Sequence, residues 1–232
     1  MTETAPQLFI GNRNYSSWSL RPWLCLRWAG IAFRERSIEL DQPGYGAEGI
    51  AEILAISPSA RVPVLLADGV TIHDSVAISE WAAEVAPAPG LLPPNRALRA
   101  EMRSVVAEMH AGFPHLRRDL PMNLRRRCTA RDLPPETLRD IARIDTMWRT
   151  ARSRFGAAGP FMFGRRSMAD AFYLPVATRF RTYGARLSPE SEAYAATLLA
   201  DTDFHAWEAA IAAEPHRLFS RAPIDSLYAD PA

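Results

Sequence analysis

The chain has 232 residues, 48% of them hydrophobic and 23% charged, with 27 basic residues against 26 acidic ones and a net charge of +1. This is the composition of a soluble globular protein of one large or two small domains, and so small a net charge provides no global field for nucleic acid or a membrane surface. Two cysteines, Cys25 and Cys128, form no disulfide framework or paired metal spacing, no apolar run approaches the ~18 residues that cross a bilayer, and MTETAPQ is no leader peptide, so the reducing cytoplasm is the expected setting.

All 27 basic residues are arginine. Coding bias in a GC-rich bacterial genome accounts for most of that, and planar anion binding is a use that only a few of them can have. Gln7 to Gly11 reads as a first strand, and Trp18 to Trp28 as a helix closed by Gly30. Arg34 to Leu40 alternates as a second strand, and Ile50 to Ile56 suggests a short helix closed by Ser57-Pro58. Val62 to Leu66 is an apolar strand led by a proline, Asp68-Gly69 is a hairpin signal, and Val70 to Ile72 alternates again. Asp74 and Ser75 stand where the next helix begins, with Ile78, Trp81, Ala82 and Val85 as its apolar face.

Ala86 to Asn95 is rich in proline and glycine and reads as a linker. Beyond it the rhythm is helical. Leu98, Met102, Val105, Met109 and Phe113 step by three and four, as do Leu138, Ile141, Ile144, Trp148, Ala151 and Phe155, which predicts two long antiparallel helices. Ser167 with Asp170 three residues later has the form of a capping box, and Pro175 falls inside the helix that follows. Arg125-Arg126-Arg127 reads as a solvated loop or helix end, and Met122-Asn123-Leu124 as a loop after Pro121.

Two features converge if this order is right. A strand headed by proline leaves a backbone edge free, and a helix start bearing Asp74 and Ser75 offers amides, a hydroxyl and a carboxylate to a zwitterionic ligand. The run VPVLLADGVTIHDSVAISEW resembles the glutathione-binding half of the cytosolic glutathione transferases, especially the zeta class. SMADAFYLP is similar to the capping motif of their helical domain. The resemblance implies a thioredoxin-like α/β unit of βαβ-α-ββ-α order over residues 1–86, a linker at 87–96, and an all-helical domain at 97–232 carrying an electrophile pocket. It also implies a cis Pro63, a Val62 backbone that pairs with the cysteinyl part of glutathione, Asp74 and Ser75 on the γ-glutamyl end, and a homodimer. Arg61 is a candidate for the ligand's carboxylates. Glutathione is implied as co-substrate, and no metal is.

The thiol has to be ionised. A free thiol with a pKa near 8.5 is only about 3% thiolate at pH 7, and lowering it by about two units takes roughly 2.7 kcal/mol. A hydroxyl donor to a charged acceptor contributes about 1.5–3 kcal/mol and a helix N-terminus about 0.3–2, so one serine at a helix start is sufficient. The segment Asn14-Tyr15-Ser16-Ser17-Trp18 lies at that place. Counting back from Gly30-Ile31, which resembles the end of the first helix in zeta and omega transferases, puts Ser16 in the catalytic position and Arg21 on the family's arginine. Aligning on Trp18 instead puts Asn14 there and Ser16 where the zeta class has cysteine. Ser16 is preferred, with Ser17 and Tyr15 as alternates, and a plain helix cap is the competing role. Glu108, His110 and Phe113 fall on the first long helix and are weaker candidates for the electrophile pocket. The resemblance thus implies a transferase. Glutathione-dependent cis–trans isomerisation, the reaction of the zeta class, is the second reading, and a non-catalytic binding module the third.

Overall fold

The computed structural model describes residues 5–87, 90–128 and 132–214. Four short strands, β1 (Gln7–Ile10), β2 (Arg34–Ser37), β3 (Val64–Ala67) and β4 (Val70–His73), form one mixed sheet in the order β2-β1-β3-β4. β1 is parallel to β2 and antiparallel to β3, and β3 is antiparallel to β4. Sequence dictates the order of burial. QLFI and VLLA are apolar and take the centre, while RERS and VTIH take the edges, where charge discourages further strand pairing. Asp68 and Gly69 both have positive φ, as the tight turn between β3 and β4 requires.

The alternation expected over Arg34 to Leu40 is corrected. Only Arg34–Ser37 forms strand, and all four residues are exposed. Ile38 and Leu40 are buried beyond it, their amides bound to the Ile10 carbonyl (2.8 Å) and Asn12 Oδ1 (3.0 Å).

Helix α1 (Ser17–Trp28) connects β1 to β2, α2 (Ala51–Leu54) is one turn, and α3 (Ser75–Val85) follows β4. α1 packs against α3 on one side and the helical region on another, so Leu20 to Leu26 are all buried and the helix has little polar face. In α3, Ile78 and Ala82 are buried as read, but Val85 is 44% exposed, because the chain leaves the core at that end.

The rest of the described chain is mostly helical: α4 (Arg96–Ala111), α5 (Pro114–Asp119), α6 (Pro135–Phe155) with a 3-10 turn at Gly156–Ala158, α7 (Met168–Tyr183), α8 (Pro189–Leu199) and α9 (Thr202–Ile211). α4 and α6 are antiparallel, bridged by Glu108–Arg143 at 2.7 Å and Glu101–Arg154 at 3.1 Å. Met102, Val106 and Met109 face inward from α4, and Ile141, Ile144, Trp148 and Ala151 from α6. Two residues of the expected stripes depart from them. Leu138 is 51% exposed, and Phe113 lies past the end of α4, in a left-handed conformation that starts α5.

α7 is the central post, with all its residues buried except Arg181, and it contacts α1, α4 and α8. Its start is fixed by Asp170, a fully buried carboxylate that accepts from Ser167 N (2.7 Å), Ser167 Oγ (3.0 Å), Met162 N (3.1 Å) and Tyr194 OH (2.8 Å). Burial pushes this carboxyl above its ordinary range, and the four donors oppose the shift. Removing the acceptor leaves several buried donors unmet. Asp170→Ala is expected to lose about 3 kcal/mol of stability and Ser167→Ala about 1, read from urea unfolding midpoints.

Candidate active site

The loop from β1 into α1 is held tightly. The Tyr15 and Ser16 amides both donate to the Asn12 carbonyl (3.1 and 2.9 Å), turning the chain into the helix. Ser16 is the N-cap: its Oγ accepts from the Ser19 amide (3.3 Å) and donates to Ser19 Oγ (2.8 Å), which also accepts from the Gly11 amide (3.1 Å). Asn14, buried, donates to Asn123 Oδ1 (3.0 Å), and its Oδ1 accepts from the Arg125 amide (2.9 Å). Arg13 is gripped by Glu214, through its amide (3.1 Å) and its guanidinium (2.7 Å).

The second wall comes from the sheet. The Val62–Pro63 bond is cis, and Val62 lies against the chain just past β1: a Cβ at Gly11 would meet Val62 Cγ2 at 3.2 Å. Gly11 in turn bonds Ser19, and Ser19 bonds Ser16. Asp74 caps α3 at φ +81°, with Oδ1 accepting from the Val76 amide (2.8 Å). Ser75 is 1% exposed and its hydroxyl has no partner among the described residues. A second chain of contacts joins this cap to α1, because His110 Nε2 lies 3.4 Å from Asp74 Oδ2 and its ring meets Trp18 edge-on at 5.3 Å. The pairing of Val64 with His73 sets Val62-Pro63 and the Asp74–Ser75 cap at the same end of β3 and β4, His110 joins that cap to Trp18, and Ser16 is linked to Val62 through Ser19 and Gly11.

Other candidates fall elsewhere. Arg61 is exposed, Glu108 pairs with Arg143, and Phe113 is buried between α4 and α5. Arg125 is not solvated as expected. Its Nη2 donates to the carbonyls of Ile211 (2.6 Å) and Glu214 (3.0 Å). Met122 to Leu124 is buried and holds Asn14. Cys25 is buried too, which pushes its thiol up to about 12 and makes it inert. No cluster of metal-binding side chains occurs among the described residues. Two surface hollows of about 320 and 380 Å³ lie away from this seat, one beside the β3–β4 turn and one between Trp23 and Phe33.

Arginine surrounds the helix start. Arg21 is fully buried, with its guanidinium 4.5 Å from the Trp18 ring centre and 5.0 Å from that of Phe172, and none of its three nitrogens has a hydrogen-bond partner among the described residues. Arg117 lies over Trp18 at 4.9 Å and donates to the carbonyls of Gly112 (3.0 Å) and Met109. Arg179 donates to the Leu120 carbonyl (2.5 Å) and to Ser17 Oγ (3.1 Å). Burial, then repulsion from Arg117 and Arg179, holds Arg21 well below the usual arginine range, and burial brings Arg179 down to about 9. Asn14, which the alignment on Trp18 puts in the catalytic position, is engaged with Asn123 and Arg125, and Arg179 was missed in the sequence. The one available signal was Arg179 itself, a charge after the apolar run Ala171 to Ala177 of α7.

Residues 15–85 match the family model for the glutathione S-transferase N-terminal domain. Maleylacetoacetate isomerase of Rattus norvegicus is 34% identical over 111 residues, 48% of this chain and 50% of the rat protein. The probable maleylacetoacetate isomerase of Vibrio cholerae is 29% identical over 96 residues, 41% of this chain and 44% of that one. The chain spans about half the length of the curated relatives it matches. In fold, a glutathione transferase homolog from Burkholderia with bound glutathione superposes with a TM-score of 0.68 at 21% identity, over 91% of this chain and 100% of that one. Maleylacetoacetate isomerase from Anaeromyxobacter dehalogenans superposes with 0.60 at 24% identity, over 88% and 90%. Residues 15–85 thus resemble the glutathione S-transferase N-terminal domain, and the described chain shares the glutathione transferase fold, with a thioredoxin-like N-terminal unit followed by a mostly helical region.

Asn14 is the rivet between the two parts of the molecule. Asn14→Ala is expected to cost about 2 kcal/mol in urea unfolding, since it removes two buried hydrogen bonds and orphans the Arg125 amide.

Proposed function

We propose that the protein is a glutathione transferase that holds glutathione between Val62 and the Asp74–Ser75 cap and ionises its thiol at the start of α1. The observation that supports this most is the Ser75 hydroxyl, buried without a partner at a helix start that also presents a carboxylate. A hydroxyl kept desolvated and unbonded costs about 1–3 kcal/mol, and a ligand carboxylate would satisfy it. The Val62 backbone would pair with the cysteinyl part, and Asp74 would take the γ-glutamyl amine. His110, tied to Asp74, is placed to position that carboxylate.

The chemistry needs a hydroxyl donor at the start of α1, and Ser16, Ser17 and Tyr15 are the residues that could supply it. When the thiol ionises, its proton goes to water and the electron pair stays on sulfur. The thiolate attacks an electrophilic carbon held by the helices after residue 96, an S–C bond forms, and the leaving group departs with its pair. A second reading, supported by the isomerase relatives, is cis–trans isomerisation: the thiolate adds to a conjugated double bond, the carbon–carbon bond rotates, and the thiolate is expelled again. Both run in a homodimer in the cytoplasm.

Ser75→Ala separates binding from folding. It is expected to leave unfolding stability equal or slightly higher, because an unmet hydroxyl is removed, while glutathione affinity in titration calorimetry falls about tenfold or more. Unchanged affinity would sink the proposed seat. The two chemistries are separated by turnover, measured as conjugation of chlorodinitrobenzene against isomerisation of maleylacetone in the presence of glutathione.

A further inference from the structure

Three guanidinium groups, those of Arg21, Arg117 and Arg179, gather at the start of α1, and none has a carboxylate in ion-pair contact among the described residues. Arg21 and Arg179 are buried and Arg117 half-buried, with Asp74 and Asp140 acting on Arg21 and Arg117 only at longer range. Buried cations left in this way are costly, and cation–π contacts of about 0.5–2 kcal/mol offset only part of that. The site is short of an anion.

The two serines at this helix start differ in where their hydrogens go. Ser16 gives its hydrogen to Ser19 Oγ. Ser17 Oγ is an acceptor, from Arg179 Nη2 at 3.1 Å, and its own hydrogen has no acceptor among the described residues. A hydroxyl that accepts from a cation is a stronger donor through its remaining hydrogen. Ser17 is also the first residue of α1; it is buried and its amide donates to the Tyr15 carbonyl (3.1 Å), while its neighbour Trp18 is 36% exposed, so solvent reaches this end of the helix.

We infer that Ser17 is a hydrogen-bond donor to the bound thiolate and that Arg179, on α7, is the positioning residue that polarises it. This rests on the glutathione reading above. Ser17 keeps its proton throughout. The thiol's proton passes to water, and the negative sulfur supplies the charge that the arginines lack. Arg179 acts only through Ser17 and does not touch the thiol. Its pKa of about 9 keeps it cationic at neutral pH. Thiol activation would then be coupled to the helical region, because α7 carries the cation.

The test is a pH titration of the ultraviolet thiolate absorbance of saturating glutathione on the full chain, with circular dichroism checking the fold of each variant. Ser17→Ala is expected to raise the thiol midpoint by about one pH unit, a tenfold loss in ionisation, and Ser17→Thr to restore it. Arg179→Gln is expected to raise it by about half a unit or more in the wild-type background and by nothing measurable with Ser17→Ala already present. Arg179→Lys, which keeps the charge, should retain most of the shift and serves if Arg179→Gln does not fold. An equal effect of the Arg179 change in both backgrounds, or none in either, overturns the coupling. A lowered midpoint that survives Ser17→Ala overturns the Ser17 role while leaving thiol activation standing. A wild type that binds glutathione with the midpoint of the free thiol overturns the activation reading itself, and this inference with it.

Discussion

A helix N-terminus can stabilise an anion only if it is held still and its donors are not already taken. Both demands act on α1. The helix is buried by the sheet, by α3 and by α7, so it has no freedom to tilt. Its entry loop is fastened at both ends: Ser19, in the helix, accepts from the Gly11 amide just past β1, Asn14 ties the loop to residues 123–125, and Glu214 grips Arg13. Ser16 closes the cap internally, which leaves the next hydroxyl open. Preorganised donors of this kind stabilise developing charge without having to reorganise when it appears.

The arrangement works against stability. Arg21 is stacked between Trp18 and Phe172 with no hydrogen-bond acceptor, and Ser75 holds an unmet hydroxyl. Native cores rarely keep such groups. A chain of contacts through Trp18, His110 and Asp74 links the two. A zwitterionic thiolate ligand would answer both deficits at once, its γ-glutamyl end at Ser75 and its sulfur at α1. Stability given up in the free protein would thereby return as binding energy.

Much of this was legible in the sequence because the signals are local. Asp68-Gly69 specifies its own turn, Ser167 and Asp170 form their own capping box, and Asp74 caps the helix that its place before Ser75 announces. What was illegible depends on distant parts of the chain. Arg179 reaches Ser17 across 162 residues, Asn14 meets Asn123 across 109, and Arg13 meets Glu214 across 201. Periodicity also overreached at the ends of stripes. Val85 and Leu138 continue an apolar face beyond the point where a partner covers it, so both are exposed. Spacing shows which residues share a face, but it does not show where the neighbouring element stops.

The central claim is that this site binds glutathione as its thiolate. Counting protons tests it most directly, by calorimetry at pH 7 in buffers of different ionisation enthalpy. The account predicts that each glutathione bound releases on the order of one proton, since the free thiol is almost wholly protonated there, and that S-methylglutathione, with no thiol proton, releases none. Glutathione that binds tightly but releases no more protons than its S-methyl derivative would contradict the account.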